Sequence, residues 1–299
     1  MNYRDCYQKG KSALEQAGIE EAPLDARLLL EYVCGTDRND LLAHGERELT
    51  GENIRIYEGC IGERKMHIPL QHITGYQEFM GLRFAVNKHV LIPRQDTEIL
   101  VEEVMRELQD GMRILDLCTG SGCILISLLY YSNNCSGLGI DISPEAVRLA
   151  EENTGLLKRK AADGEAKDQA AVSGEDYSQG RICFRQSDMF ENVTERYDII
   201  VSNPPYIKSK VIDTLMPEVR CHEPLSALDG HEDGMYFYRK IISEGRKYLA
   251  RGGSLYLEIG FDQAHSTVAL MEAAGYRDVR LVKDYAGLDR VVSGVSVGD

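Results

Sequence analysis

The sequence predicts an α/β fold, a doubly wound seven-stranded sheet preceded by a small helical bundle. Three stretches carry that expectation. Arg113-Ile114-Leu115-Asp116-Leu117-Cys118 is a short apolar run that passes through Thr119-Gly120-Ser121-Gly122 into the apolar helix Ile124–Tyr131. Cys135–Asp141 repeats the pattern, with Ser143-Pro144 as the cap and first turn of the next helix. Tyr197-Asp198-Ile199-Ile200-Val201-Ser202 is a β-branched run that meets Asn203-Pro204-Pro205-Tyr206, where two prolines must end any strand ladder.

In chain order, residues 1–75 read as a helical domain. Tyr3, Cys6, Tyr7, Gly10, Ala13, Leu14 and Ala17 recur at helical spacing, and Pro23 is a first-turn residue for Leu24–Cys34, which Gly35 terminates. Arg38–His44 and Thr50–Met66 complete the bundle, with Thr50 as N-cap. Residues 76–95 are expected to be a β-hairpin linker, because Ile68–Phe79 and Gly81–Val86 alternate like strands broken by glycines. The larger domain, 96–299, opens with a helix to Leu108 that Thr97 or Asp96 is expected to cap.

Between Asn153 and Arg181 the chain turns polar and small, and an insertion over about 155–180 is expected to be a loop. Beyond the Asn203 turn, Glu223–Gly230 reads as a loop, Gly234–Leu249 as a helix and Ser254–Gly260 as a strand. Gln263–Ala274 follows as a helix, then two strands straddling Gly287 that form an edge hairpin.

The 299 residues, 43% of them apolar, are enough for two cores. A formal charge of −14 disfavours a sequence-blind grip on nucleic-acid phosphates, so no stable nucleic-acid binding is expected. Eight cysteines without a C-x-x-C pair and seven scattered histidines offer no metal-ligand spacing. With no charged-then-apolar leader and no apolar run long enough for a bilayer, a cytoplasmic protein with free thiols and no membrane contact is expected.

Chemistry gathers at the predicted strand ends. Gly120 and Gly122 let a ligand approach the backbone, and Asp141 is placed to accept two hydrogen bonds from a ribose diol. A nucleoside is implied. Position 125 is Leu where a dinucleotide fingerprint needs its third glycine, and the acidic Asp116 beside the loop would repel phosphate. S-adenosylmethionine fits better, with Asp116 ordering the loop or binding an ammonium through water. Asp188 accepts from an adenine amino group, flanked by Met189 and Phe190. Asn203, held before two prolines that lack an N–H, presents an amide and carbonyls suited to a planar group carrying NH2.

Taken together, Ile114–Gly122, Asp141, Asn203-Pro204-Pro205-Tyr206, Glu223-Pro224, Asp229-Gly230, Glu258-Ile259-Gly260 and Asp284–Arg290 resemble the HemK/PrmC family. The resemblance spans nearly the whole chain, Ile92-Pro93-Arg94 included. It departs at Cys118, where the family usually has glycine, and at Gln95-Asp96, where it usually has Pro-Glu.

The resemblance implies a class I, Rossmann-like methyltransferase domain that modifies a glutamine side-chain nitrogen in peptide chain release factors. The implied cofactor is S-adenosylmethionine, held by Asp116, Cys118, Thr119, Gly120, Ser121, Gly122, Asp141, Asp188, Met189 and Asn203, with no metal. The catalytic set is Asn203, Pro204, Pro205 and Tyr206. The Asn203 oxygen and the Pro204 carbonyl would accept the two N–H groups of the target amide, Tyr206 would pack on its plane, and the helical domain would dock the release factor. Asn-Pro-Pro-Tyr alone is shared with amino-methyltransferases of DNA and RNA. A nucleic-acid base, another protein substrate, and a non-catalytic nucleoside-binding role therefore stand as alternatives.

Overall fold

The computed structural model describes residues 1–162 and 181–298. The chain forms two compact units, one of Met1–Tyr76 with Met216–His222 and the other of Gln77–Leu215 with Glu223–Asp299.

The first unit holds α1 (Tyr3–Gln16), α2 (Ala22–Cys34), α3 (Arg38–Ala43), α4 (Gly51–Lys65) and α5 (Leu70–Thr74). Local chemistry sets their ends. Asn2 accepts from the Asp5 amide and Thr50 from the Asn53 amide, while Gly35 closes α2 in the left-handed region. Leu14, Ala26, Leu29, Leu30 and Tyr57 form the buried centre. Arg64, 7% exposed, holds Asp25 at 2.7 Å and Glu218 at 2.9 Å, which ties in the later segment Met216–His222. The expected strand from Ile68 is corrected here, because Leu70–Thr74 is a short helix that Gly75 stops at φ 81°.

The second unit opens with the hairpin β1 (Tyr76–Phe79) and β2 (Leu82–Ala85). Its two-residue turn has Met80 at φ 50° and Gly81 at φ 68°, the double left-handed geometry that matches strand twist. There follow α6 (Asp96–Glu107), β3 (Arg113–Leu117), α7 (Cys123–Tyr130), β4 (Ser136–Asp141), α8 (Pro144–Ala162), β5 (Ile182–Gln186) and β6 (Tyr197–Ser202). The chain then continues through α9 (Ser209–Ile212), α10 (Pro217–His222), α11 (Tyr236–Gly245), β7 (Leu249–Glu258), α12 (Ala264–Ala273), β8 (Tyr276–Lys283) and β9 (Asp289–Ser296).

Seven strands form one sheet in the order β5-β4-β3-β6-β7-β9-β8, parallel from β5 through β7 and antiparallel at the edge hairpin. Both faces are covered, and the side chains alternate with the strand period of two. Ile114, Ile199, Val201 and Tyr256 pack with residues of α6 and α7. Leu115, Leu117, Ile200, Leu255 and Leu257 pack with residues of α11 and α12.

Four local expectations change. Neither Asp96 nor Thr97 caps α6; both are its first residues, and Thr97 is 2% exposed because its hydroxyl is used inside. Cys118 lies past the end of β3 at φ 60°, which no strand tolerates. The polar stretch after Asn153 continues α8 to Ala162, as its Leu, Lys, Arg and Ala content favours, and the rest of the insertion, 163–180, lies outside the described residues. Finally, α11 ends at Gly245 and β7 begins at Leu249, where a helix to Leu249 and a strand from Ser254 were expected.

Candidate active site

Strand order reverses at β3, which leads to β4 on one side and has β6 on the other, and such a switch point opens a crevice at the strands' carboxyl ends. Leu117 is paired with Ser202 in the register, and the Ser202 hydroxyl donates to the Leu117 carbonyl at 2.7 Å, so both loops start from one level. There lies a cavity of about 450 Å³. The β3 loop contributes Cys118, Thr119, Gly120 and Ser121; the β4 end Asp141, Ile142 and Ser143; the β5 loop Asp188 and Met189; and the β6 turn Asn203 and Pro205. That volume falls within the range of small-molecule sites.

The β3 loop is built on three left-handed residues, Cys118 at φ 60°, Gly120 at φ 56° and Gly122 at φ 78°. A Cβ at Gly120 would meet no atom within 4 Å, whereas one at Gly122 would press on Ile126, Phe184 and Ala150 at 3.0 to 3.1 Å. Gly120 thus faces open space and Gly122 serves packing, which is why Gly122 does not line the cavity. The Gly120 amide donates to Asp141 Oδ2 and the Ser143 amide to Asp141 Oδ1, each at 2.9 Å. Burial pushes the Asp141 carboxyl up, and these backbone donors oppose that by favouring its charge. Each of its oxygens keeps a lone pair for a further donor.

Asp116 lies beneath the loop, fully buried and outside the cavity lining. It accepts from the Thr119 hydroxyl at 2.6 Å, and burial raises it to about 7 against that bond and the Leu125 amide. Of the two roles expected for it, the structure places it where it orders the loop. Asn153, which the sequence did not single out, holds the same loop by donating to the Ser121 carbonyl at 2.9 Å.

At the end of β5, Asp188 reaches Lys240 at 3.2 Å and Met189 adopts φ 49° at the cavity wall. Phe190 instead stacks on Tyr248, with ring centroids 4.6 Å apart, inside the core.

The β6 turn presents Asn203 and Pro205, while Pro204 and Tyr206 stay outside the lining. Asn203 donates its amide to Thr97 Oγ1 at 3.2 Å, which leaves its oxygen for the cavity. Tyr206 faces inward. Its hydroxyl lies 3.5 Å from Glu258 Oε1, burial holds it as a neutral phenol, and its carbonyl accepts from Gln263 at 3.0 Å. A Cβ on Gly230 or Gly234 would stand 2.8 or 2.4 Å from the Tyr206 backbone, so those glycines admit the turn. Tyr206 fixes the turn's geometry from outside the cavity lining.

Two further lining residues escaped the sequence reading, Thr97 and Arg94. Arg94 reaches both oxygens of Glu223 at 2.8 and 2.6 Å, and the Ile92 amide donates to the same carboxylate at 3.3 Å. Burial pushes Glu223 up and Arg94 opposes it. This pins Ile92-Pro93-Arg94 at the cavity. Its partner lies too far along the chain for any local signal.

Residues 5–75 match the PrmC N-terminal domain family and residues 94–219 the methyltransferase small domain family. The chain is 42% identical to a release factor glutamine methyltransferase of Caulobacter vibrioides, over 95% of this chain and 93% of that protein. It is 38% identical to one of Clostridium acetobutylicum over the whole of both chains. A methyltransferase crystal structure from Pyrococcus furiosus shares the fold with TM-score 0.50 at 16% identity, covering 73% of this chain and 90% of that one.

Proposed function

The chain belongs to the family of release factor glutamine methyltransferases, and on that premise we propose that it methylates the side-chain amide nitrogen (N5) of the glutamine in the Gly-Gly-Gln motif of a peptide chain release factor. The observation that carries this reading is the Asn203 amide. Its nitrogen is occupied by Thr97 and its oxygen is left at a cavity that also holds the Gly120 loop and Asp141.

S-adenosylmethionine is the proposed cofactor, and the residues present suit it. Gly120 allows close backbone approach, Asp141 retains acceptor capacity for a ribose diol, and Asp188 and Met189 offer an acceptor beside an apolar wall. When bound, it supplies a methyl group on a positively charged sulfur. The chain's own work is to hold the acceptor. An amide nitrogen is a poor nucleophile because its lone pair is delocalised, so in-line placement and transition-state stabilisation are the main needs. Asn203 Oδ1 and the Pro204 carbonyl each take one N–H of the glutamine amide, an interaction that strengthens as positive charge develops on nitrogen. The proton then leaves the acidified nitrogen for water, and no strong base is needed. Pro205 keeps the turn stiff and excludes water on one side.

The helical unit is the proposed docking element for the release factor, in the cytoplasm. No helix among the described residues is long and apolar enough to cross a membrane. Incubation with methyl-labelled S-adenosylmethionine and, in separate samples, a release factor, DNA and RNA tests the reading. Label is expected on the release-factor glutamine; label on nucleic acid alone overturns it.

A further inference from the structure

The cavity is acidic but for one side chain. Asp141, Asp188 and Asp229 all line it, and Arg94 is the one lysine or arginine among the described residues that do so. The methyl acceptor gives no reason for a guanidinium there. A donor on the target amide's carbonyl would deepen the delocalisation of the nitrogen lone pair, and a cation close to that nitrogen would oppose the positive charge that develops during transfer.

The fold nevertheless holds Arg94 firmly. Glu223 stands behind it, with a side chain 1% exposed and outside the cavity lining. Arg94 Nη2 meets both Glu223 oxygens, at 2.8 and 2.6 Å, and the Ile92 amide donates to one of them at 3.3 Å. One nitrogen of the fork is thereby anchored. Nε and Nη1 have no hydrogen-bond partner among the described residues, and the Arg94 side chain is 41% exposed at the cavity. A guanidinium carries five N–H donors in one plane, so the three on Nε and Nη1 remain for a ligand. Planar donors at fixed angles, on a cation, match a carboxylate better than they match a neutral carbonyl.

We propose that Arg94, anchored by Glu223, binds the α-carboxylate of the cofactor's methionine part, an inference that rests on the cofactor named in the functional reading above. The chemistry of S-adenosylmethionine leaves little choice. Its ribose diol and adenine amino group are donors that suit Asp141 and Asp188, and its sulfonium and ammonium are themselves cations. Only the carboxylate calls for a cation. Arg94 then serves two carboxylates on different nitrogens, one from the chain and one from the ligand, and the Glu223 pair fixes the fork before the ligand arrives.

Calorimetric titration of the wild-type chain, Arg94→Gln and Arg94→Lys tests this with two ligands, S-adenosylhomocysteine and its decarboxylated analogue. The analogue keeps adenine, ribose, thioether and amine, so only the carboxylate differs, and affinity is read without turnover. Wild type is expected to bind the intact ligand about 10- to 100-fold more tightly than the analogue, the scale of charge-assisted hydrogen bonds. Arg94→Gln should lose most of that ratio, because affinity for S-adenosylhomocysteine falls while affinity for the analogue changes little. Arg94→Lys keeps the charge without the fork and should fall between. Equal loss for both ligands in Arg94→Gln makes Arg94 a support of the cavity wall and overturns the assignment, as does a wild-type chain that binds both ligands alike. If Arg94→Gln does not fold, Arg94→Lys carries the test: a reduced ratio supports the assignment and an unchanged ratio overturns it. A wild-type chain that binds neither ligand overturns the proposed cofactor, and the assignment with it. A chain that shows the expected ratios yet transfers nothing to a release factor supports the assignment and overturns only the proposed substrate.

Discussion

The Gly120 amide donates to Asp141 Oδ2 at 2.9 Å, so the carboxylate ending β4 holds the glycine loop that follows β3. The other oxygen holds the Ser143 amide at the same distance. One side chain therefore sets two walls of the cavity and still has acceptor capacity towards it.

Asp141→Ala is expected to weaken S-adenosylmethionine binding by tenfold or more. A ribose left without its charged acceptor loses hydrogen bonds worth roughly 1.5 to 3 kcal/mol each, and the loop loses its anchor. Calorimetric titration of the folded variant checks this. Unchanged affinity would reduce Asp141 to a loop support.

Asn203→Ala should leave the strand, the prolines and cofactor affinity nearly as they are. It removes one of two acceptors whose interaction grows during transfer. A loss of about 3 to 4 kcal/mol, comparable with deleting one oxyanion-hole donor, slows transfer by roughly two to three orders of magnitude. Single-turnover rates alongside cofactor titration separate the roles. Equal loss of both would recast Asn203 as a cofactor residue.

Cys118 stands at φ 60°, which explains why a glycine suits this place in the loop. Left-handed backbone costs an L-residue about 1 to 2 kcal/mol. Against that, glycine's greater freedom in the unfolded chain costs about 0.4 to 1 kcal/mol. Cys118→Gly is therefore expected to be neutral or mildly stabilising in urea unfolding, and Cys118→Val, β-branched, clearly destabilising. Burial also pushes the Cys118 and Cys123 thiols up, so alkylation near neutral pH should reach the exposed Cys183 and Cys221 first. Mass spectrometry of partially labelled protein reads the order.

Asp116 titrates at about 7 in the folded chain against 3.8 ordinarily, because burial disfavours its charge. The folded state then binds the proton more tightly than the unfolded state. The stability this contributes is full below pH 4 and is lost as pH rises through 7. Asp116→Asn keeps an acceptor for the Thr119 hydroxyl and removes the titration. Its stability relative to wild type should rise between pH 4 and pH 8, by at most about 1.4 kcal/mol per pH unit. Urea midpoints of both proteins across that range provide the measurement, and parallel profiles would mean that Asp116 is charged throughout.

What the sequence determined by itself was whatever local sterics and hydrogen bonding encode. The apolar run at Ile114–Leu117, the β-branched run at Ile199–Val201, the glycines at 120 and 122, the Thr50 cap and the two prolines after Asn203 each restrict the backbone within a few residues, so strands, loop and turn were legible. Asp141 and Asn203 could be placed at strand ends for the same reason. Tertiary structure decided where side chains point once those strands were paired. That Asp116 is fully buried and that the Tyr206 hydroxyl lies 3.5 Å from Glu258 Oε1 could not be read from their positions in the sequence. Thr97 looked like a cap, and only the fold brings it across 106 positions to Asn203; Arg94 meets Glu223 across 129. No local pattern encodes such meetings, because they depend on the register of β3 against β6 and on how α6 packs over the sheet.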